Sequence, residues 1–155
     1  MRRWNGWGEE SISYPLPSRA RELLEETVGP GTLQQSCPFS EVVSRVPDSR
    51  LPHSAPADTR ARVRVLHARG QSLPDWIDLR GGSISTFPDG VAFPEEEEDL
   101  QRILDFAGDA GAVLIPYGGG TSVLGHINPL ALDRPVLTVS LSRMNELLDV
   151  NETSL

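Results

Sequence analysis

The 155-residue sequence contains no lysine, so its 14 basic side chains are all arginines, and 22 acidic side chains outnumber them. The formal net charge of −8 argues against nucleic acid as the main partner, because binding to a phosphate backbone needs a basic surface. The absence of lysine also excludes the kinase-type phosphate loop, whose GxxxxGK[ST] motif requires one. The length predicts a single domain, since domains are commonly about 100–200 residues long.

Cysteine and long apolar runs are also scarce. Cys37 is the only cysteine, which excludes an intramolecular disulfide. The three histidines (His53, His67 and His126) lie far apart in the chain without cysteine partners, so no metal site is expected. Apolar runs such as residues 112–115 fall far short of the roughly 20 residues that span a bilayer, and no apolar segment follows the N-terminal arginines as it would in a secretory signal. We therefore predict a cytoplasmic protein without a transmembrane segment.

Proline is abundant in the first part of the chain, where it interrupts any long helix or strand. We interpret residues 1–56 as a partly helical N-terminal extension and residues 57–83 as a linking segment. Helices are expected between the prolines at residues 18–28 and 40–46, and after a capping serine at residues 72–80.

Two side-chain groups in this part have a structural and a functional interpretation. Trp4 and Trp7 are three residues apart, which favours packing of the extension over a role in stacking on a ligand. Arg60, Arg62 and Arg64 alternate with apolar residues and are interpreted as scattered surface arginines rather than as a phosphate or carboxylate site.

The pattern becomes regular in residues 84–155. Short apolar runs predict strands near residues 90–94, 112–115 and 136–139, and a helix at 95–110 joins the first two. Five acidic residues at the start of this helix suit its dipole and indicate a solvated helix start rather than a cation site. A strand, a helix and a strand within about 30 residues form a βαβ unit, whose strands should be parallel. The apolar face of the helix is predicted to hold Leu100, Ile103, Leu104 and Ala107.

Three consecutive glycines, Gly118, Gly119 and Gly120, follow the second strand directly. Without Cβ atoms, a backbone can turn sharply and direct several N–H groups at one anion, which suits a pyrophosphate. Thr121 and Ser122 add hydroxyl donors. A Rossmann fingerprint fits poorly, because the residues that follow are a weak helix start. A glycine-rich turn without a ligand remains the alternative at this point.

A family resemblance covers nearly the whole chain. The segment Pro88 to Ser122, with its acidic helix start and glycines, and the later segment Val136 to Leu148 resemble the FAD-binding domain of the vanillyl-alcohol oxidase and p-cresol methylhydroxylase (PCMH) flavoproteins. The start of the chain, residues 3–8, and the segment Pro47 to Pro52 resemble the alkyldihydroxyacetonephosphate synthase branch and its bacterial FAD-linked oxidase relatives.

The resemblance implies an α+β fold, in which residues 84–155 form the first, smaller subdomain of a PCMH-type domain. It also implies that the loop from Pro116 to Ser122 lines the FAD pyrophosphate, mainly through backbone N–H groups. Gly125 behind this loop allows close passage of the chain. Several relatives attach the flavin through a histidine at the position of Thr121, so the FAD here is expected to be non-covalent. His126 stands where the branch usually has glycine, and we expect it to point to solvent, with contact to a phosphate as the alternative. The implied site residues are Pro116, Tyr117, Gly118, Gly119, Gly120, Thr121, Ser122 and Gly125.

The resemblance places the catalytic residues of the family, the second flavin subdomain and the substrate cap after the end of these residues. We therefore assign no catalytic residue here. The implied function is the FAD-binding portion of an FAD-linked oxidase or dehydrogenase acting on a hydroxylated substrate. The alternatives are an alkylglycerone-phosphate synthase-type transferase of ether-lipid synthesis and a catalytically incomplete fragment. FAD, a small-molecule or lipid substrate and a second copy of the chain are the expected partners.

Overall fold

The computed structural model describes residues 3–32 and 34–153. The predicted extension and flavin segment also include Met1, Arg2, Leu33, Ser154 and Leu155, which lie outside the described residues. A final 3₁₀ turn spans Leu141–Arg143. The elements before it are α1 Ser18–Val28, α2 Phe39–Ser44, α3 Ala61–Leu66, α4 Leu73–Gly81, β1 Gly90–Ala92, α5 Glu97–Ala110, β2 Val113–Tyr117 and β3 Val136–Ser140.

The predicted helix α4 is confirmed together with its cap. The Ser72 hydroxyl accepts a hydrogen bond from the backbone N–H of Asp75, and the Asp75 carboxylate accepts one from the N–H of Ser72. This reciprocal capping box satisfies two backbone donors that a helix start leaves unpaired. Gly82 ends the helix with a φ of 68°, a left-handed conformation that glycine adopts at little cost.

Helix α5 ends where predicted but starts at Glu97, two residues later than predicted, and its buried face differs from the prediction at one position. Asp99 accepts the N–H groups of Glu95 and Glu96, so the acidic run forms the cap of the helix. Ile103 and Ala107 are buried as predicted, whereas the side chain of Leu104 is 52% exposed. The prediction for Leu104 is wrong because α5 presents Phe106, not Leu104, to the cluster over which it packs.

The sheet is parallel throughout, as the βαβ unit predicts, and its strand order is β1-β3-β2. Strand β3 therefore lies between the two strands that α5 connects. In the register of the sheet, Leu114 pairs with Leu137, and Gly90 pairs with Leu137 from the other side. The carboxyl ends of β2 and β3 lie side by side as a result, which matters for the site described below.

Each face of the sheet contributes to a separate apolar cluster. Leu137 and Val139 pack with Ile103 of α5 on one face, whereas Val136 packs with Ile115 and Ile127 on the other. A further cluster joins the N-terminal part to the linking segment and contains Val42, Val65, Ala68, Leu79 and Ile84. The protein is thus an α+β fold in which a helical N-terminal part precedes a small parallel sheet.

The residues around Arg64 depart from the prediction in two ways. They form the short helix α3 instead of an unassigned alternating segment, and Arg64 is 3% exposed while Arg69 is 8% exposed. The guanidinium of Arg64 donates to the carbonyl oxygens of Pro88 at 2.6 Å and Pro47 at 2.7 Å. The interpretation as a surface arginine is therefore wrong for Arg64, because backbone carbonyls satisfy its donors inside the fold.

A second arginine fastens the N-terminal part to the sheet. The Asp89 carboxylate, just before β1, accepts two side-chain bonds from Arg50, at 2.9 and 2.7 Å, and one from the N–H of Val136 at 2.7 Å. Burial alone would raise the pKa of Asp89, but the hydrogen bonds from Arg50 and Val136 outweigh it and lower that pKa below its ordinary value. This contact joins residues that are 39 positions apart in sequence.

No helix within residues 3–32 and 34–153 is long and apolar enough to cross a membrane. No cluster of three or more potential metal-ligating side chains occurs in the same ranges.

Candidate functional site

The loop that follows β2 contains one glycine that the fold itself requires. Gly120 is buried and has a φ of 70°. A Cβ atom at this position would overlap the phenol oxygen of Tyr117, whose ring lies beneath the loop. Both its backbone conformation and its contact with Tyr117 therefore exclude a side chain.

The two preceding glycines are not explained in this way. A Cβ atom at Gly118 would meet nothing within 4 Å, and one at Gly119 would approach only the Thr121 methyl carbon, at 3.7 Å. Both residues are exposed, and neither has a positive φ. Packing within the chain leaves room for side chains here, so a close approach from outside the chain is the physical reason that remains for glycine.

The loop also carries a run of unpaired backbone donors. None of the hydrogen bonds among the described residues uses the N–H groups of residues 118–122. The loop lies at the carboxyl end of a parallel strand, where open sheets of this kind commonly bind ligands. Consecutive free N–H groups in such a loop form a site for an anion, because several donors can converge on one group of oxygens.

A cavity of about 540 Å³ lies against this loop. Ser140 and Ser142, at the end of β3, contribute hydroxyl groups to its wall next to Gly118, Gly119 and Gly120. A second wall comes from the N-terminal part and the linking segment, and its members include Arg3, Trp4, Glu10, Phe39, Arg62, His67, Arg69 and Gln71.

His67 joins the two walls of the cavity. Its ring lies 4.7 Å from the ring of Tyr117 and 5.6 Å from that of Phe93, measured between centroids. Its Nδ1 atom is 2.9 Å from the carbonyl oxygen of Val63. Burial lowers the pKa of His67, although this hydrogen bond and the charge of Asp58 act in the opposite direction. The imidazole is therefore held neutral near pH 7, with Nδ1 as donor to Val63.

A set of polar contacts, which we call the clasp, holds the glycine loop against the linking segment. The N–H of Gln71 donates to the carbonyl oxygen of Ser122 at 2.7 Å. The Asn128 side chain accepts the N–H of Gly70 at 3.0 Å and donates to the Asp75 carboxylate at 2.6 Å. The clasp fixes where the loop turns, because it bonds residues on either side of the turn to one helix cap.

Of the N-terminal tryptophans, Trp4 packs as expected, whereas Trp7 is 69% exposed and reaches the clasp. The Trp4 ring lies 5.1 Å from that of Phe39, and the Trp7 ring lies 5.1 Å from that of Trp76 at an angle of 74°. Both Trp7 and Trp76 donate their indole N–H groups to the Gln71 side chain. The extension is therefore docked beside the glycine loop in this structure.

The structure separates the predicted site residues into two groups. Tyr117, Gly118, Gly119 and Gly120 line the cavity, whereas Pro116, Thr121 and Ser122 do not. Ser122 accepts bonds from Gln71 and from the N–H of His126, so it supports the turn. Gly125, with a φ of 77°, borders a separate cavity of about 230 Å³ together with His126, whose side chain is exposed as expected.

Several lining residues were not predicted. Ser140 and Ser142 follow a buried strand in the same way as the glycines do, and that position was a signal available in the sequence. Arg62 and His67 carried no comparable signal, because they reach the cavity only through the packing of α3 against the sheet.

Comparison with known proteins agrees with the resemblance. Residues 88–155 match the FAD binding domain family. An alkyldihydroxyacetonephosphate synthase from Dictyostelium discoideum is 28% identical over 96% of this chain and 30% of its own length. A protein from Mycobacterium tuberculosis is 30% identical over 102 residues, which cover 59% of this chain and 68% of that protein. The chain thus spans about 30% of the length of the synthase that it matches.

A solved structure of an alkyldihydroxyacetonephosphate synthase has the same fold as this chain. The two superpose with a TM-score of 0.74 at 24% sequence identity, over 98% of this chain and 34% of the other. The shared fold therefore includes the helical N-terminal part as well as the sheet.

Proposed function

Because the chain belongs to the family of FAD-binding flavoproteins that includes alkyldihydroxyacetonephosphate synthase, we propose that its glycine loop holds the diphosphate of FAD. The observation that carries this proposal is the run of free N–H groups at residues 118–122 beside two glycines that packing does not require. A diphosphate has oxygen atoms for several donors and needs a close approach of the backbone, so the loop fits it in both respects. Ser142 adds a hydroxyl donor beside it, since the Ser140 hydroxyl donates to that of Ser142.

The FAD is expected to be bound without a covalent link. Thr121 occupies the position at which some relatives have a flavin-linked histidine, and a threonine hydroxyl does not form that linkage. Bound flavin supplies the redox and covalent chemistry of such proteins, and the protein supplies binding, orientation and electrostatics. In this chain, the loop and cavity provide binding, and His67 provides a neutral hydrogen-bonding group on the cavity wall.

For the activity, we favour the alkylglycerone-phosphate synthase type of transfer, in which a fatty alcohol replaces the fatty acid of acylated dihydroxyacetone phosphate, and the acid is released without net oxidation. The supporting observation is that similarity to the synthase covers 96% of this chain, including the N-terminal part that precedes the FAD binding domain match. An FAD-linked oxidase or dehydrogenase acting on a hydroxylated substrate is the second candidate, since the FAD binding domain match alone does not separate the two. The cytoplasmic location stays a prediction.

Titration with FAD tests the cofactor proposal. The chain should quench FAD fluorescence on binding, and Gly119→Val should abolish the quenching because its side chain would fill the space of the phosphate oxygens. The unfolding midpoint of Gly119→Val should match that of the unchanged protein, since the nearest atom to the new Cβ is 3.7 Å away. Equal FAD affinity in the variant would refute the loop assignment.

The type of reaction is tested on a protein in which this chain is joined to a second flavin subdomain and cap. Exchange of a labelled fatty alcohol into acylated dihydroxyacetone phosphate, with the flavin absorbance unchanged, would support the synthase. Anaerobic bleaching of the flavin by 2-hydroxy acids would support the dehydrogenase instead. A protein that binds FAD and does neither would support the catalytically incomplete alternative.

A further inference from the structure

The two walls of the large cavity differ in charge. Residues 88–155, which carry the glycine loop, contain three arginines and twelve acidic residues and so have a net charge of −9. Residues 1–87 contain eleven arginines and ten acidic residues. The N–H groups of the glycine loop are neutral and lie in this acidic segment, so they do not offset the two negative charges of a diphosphate. A cation should therefore come from the other wall.

Three arginines from residues 1–87 line this cavity, and two of them are already engaged. Arg69 is buried, pairs with Asp78 at 3.3 Å, and also donates to the carbonyl oxygen of Thr86. Arg3 donates from one nitrogen to the carbonyl oxygens of Glu9 and Ile12.

Arg62 differs from both of these arginines. It makes no salt bridge with any carboxylate in the described part of the chain. Its guanidinium carbon lies 4.8 Å from the centre of the Phe39 ring, which holds the planar group in place without using its N–H donors. The carboxylate of Glu10 lies on the same wall and makes no salt bridge with Arg62.

We propose that Arg62 is a cofactor-binding residue, which supplies the positive charge for the FAD diphosphate in the cavity that it lines together with the glycine loop. The inference rests on the proposed function of that loop. It extends the cofactor site beyond residues 88–155 that match the FAD binding domain family, to a helix of the linking segment. It also gives the docked N-terminal part a role in binding, because Phe39 of α2 positions the guanidinium.

The test measures the affinity of the 155-residue chain and of Arg62→Gln for FAD, ADP and riboflavin by calorimetry. The variant should bind FAD and ADP about tenfold more weakly, as expected for the loss of one charge-assisted hydrogen bond, and riboflavin as before. Its FAD affinity should also depend less on salt, since one charge is removed from the site. Arg62→Lys should recover part of the affinity because it keeps the charge.

Arg60→Gln is the matched control. Arg60 lies two residues earlier, pairs with Asp58, and does not line the cavity, so its loss changes the net charge equally and should alter FAD affinity less than twofold. Unchanged FAD affinity in Arg62→Gln would overturn the role of Arg62 while leaving the glycine loop as proposed. A loss of riboflavin affinity equal to the loss of FAD affinity would do the same. Absence of FAD and ADP binding in the unchanged chain would overturn the proposed function and this inference with it.

Discussion

Neighbouring glycines in one loop serve different purposes at the scale of single residues. Gly120 is required by its φ of 70° and by the Tyr117 ring beneath it, whereas Gly118 faces open space. Gly120→Ala should lower the free energy of unfolding by about 2 kcal/mol, because strain at a positive φ and a steric overlap combine. Gly118→Ala should change it by less than about 0.5 kcal/mol. Urea denaturation of both variants measures this difference, and equal losses would contradict it.

Asp89 is the residue whose charge we expect to matter most for stability. Its side chain is 4% exposed and accepts bonds from both Arg50 and Val136. Asp89→Asn keeps the shape but removes the charge, and it should cost about 3 kcal/mol in the free energy of unfolding, because a buried pair is broken. Arg50→Met should cost at least as much, since it leaves the Asp89 carboxylate, whose side chain is 4% exposed, without its compensating charge.

The same carboxylate predicts a pH dependence. The pKa of Asp89 is lowered in the folded protein from the ordinary 3.8, so the folded state favours the charged form. Its stabilising contribution is therefore complete well above pH 3.8 and is lost as the pH falls through the folded-state pKa. The difference in unfolding free energy between the unchanged protein and Asp89→Asn should shrink below about pH 3.8. A difference that stays constant down to pH 2 would show that the charge is not the cause.

At the scale of elements, the helix cap of α4 and the glycine loop are joined by the clasp. Asn128→Ala removes both the bond to Asp75 and the bond to the N–H of Gly70, so it should lower the free energy of unfolding by about 2 kcal/mol. It should also weaken FAD binding, because the turn at Ser122 loses support. Ser72→Ala is the control, since it removes only the cap and should cost about 1 kcal/mol without affecting FAD.

Hydrogen exchange distinguishes these two variants. In Asn128→Ala, the amide of Gln71, which bonds to Ser122, should exchange faster, whereas in Ser72→Ala the increase should be confined to the first turn of α4. Faster exchange at Gln71 in both would mean that the cap, not Asn128, supports the loop.

Most elements were predictable because their signals are local. Proline, capping residues and apolar periodicity indicate α1, α4, α5 and the strands. The short helix α3 was not predictable, because alternation of arginine and valine is typical of a strand, whereas the helix buries Arg64 between carbonyls of distant loops and Val65 in an apolar cluster. The glycines of the site were predictable for the same local reason, whereas Arg50 and Asp89 meet only after folding.

At the scale of the whole molecule, the cavity depends on two parts of the chain that sequence patterns separate. Gln71 receives bonds from Trp7 and Trp76 and donates to Ser122, so the extension and the glycine loop share one anchor. No motif indicates such an arrangement, because the bond from Trp7 joins residues that are 64 positions apart in sequence, and Ser122 is also distant from Gln71. The resemblance of the chain start to one branch of the family was the single sequence feature that suggested a link between the extension and the flavin segment.

The surface of the whole molecule predicts self-association. Near the C-terminus, Leu147 is 78% exposed and Leu148 is 88% exposed. Adjacent exposed leucines of this kind favour contact with a second surface, since each buried leucine contributes about 2 kcal/mol. Light scattering after size exclusion should show a mass that rises with protein concentration.

The double variant Leu147→Ser with Leu148→Ser should shift this rise to at least about tenfold higher concentration. Leu73→Ser, which changes an exposed leucine on α4, should leave it in place. A concentration-independent monomer mass for the unchanged protein would contradict the prediction.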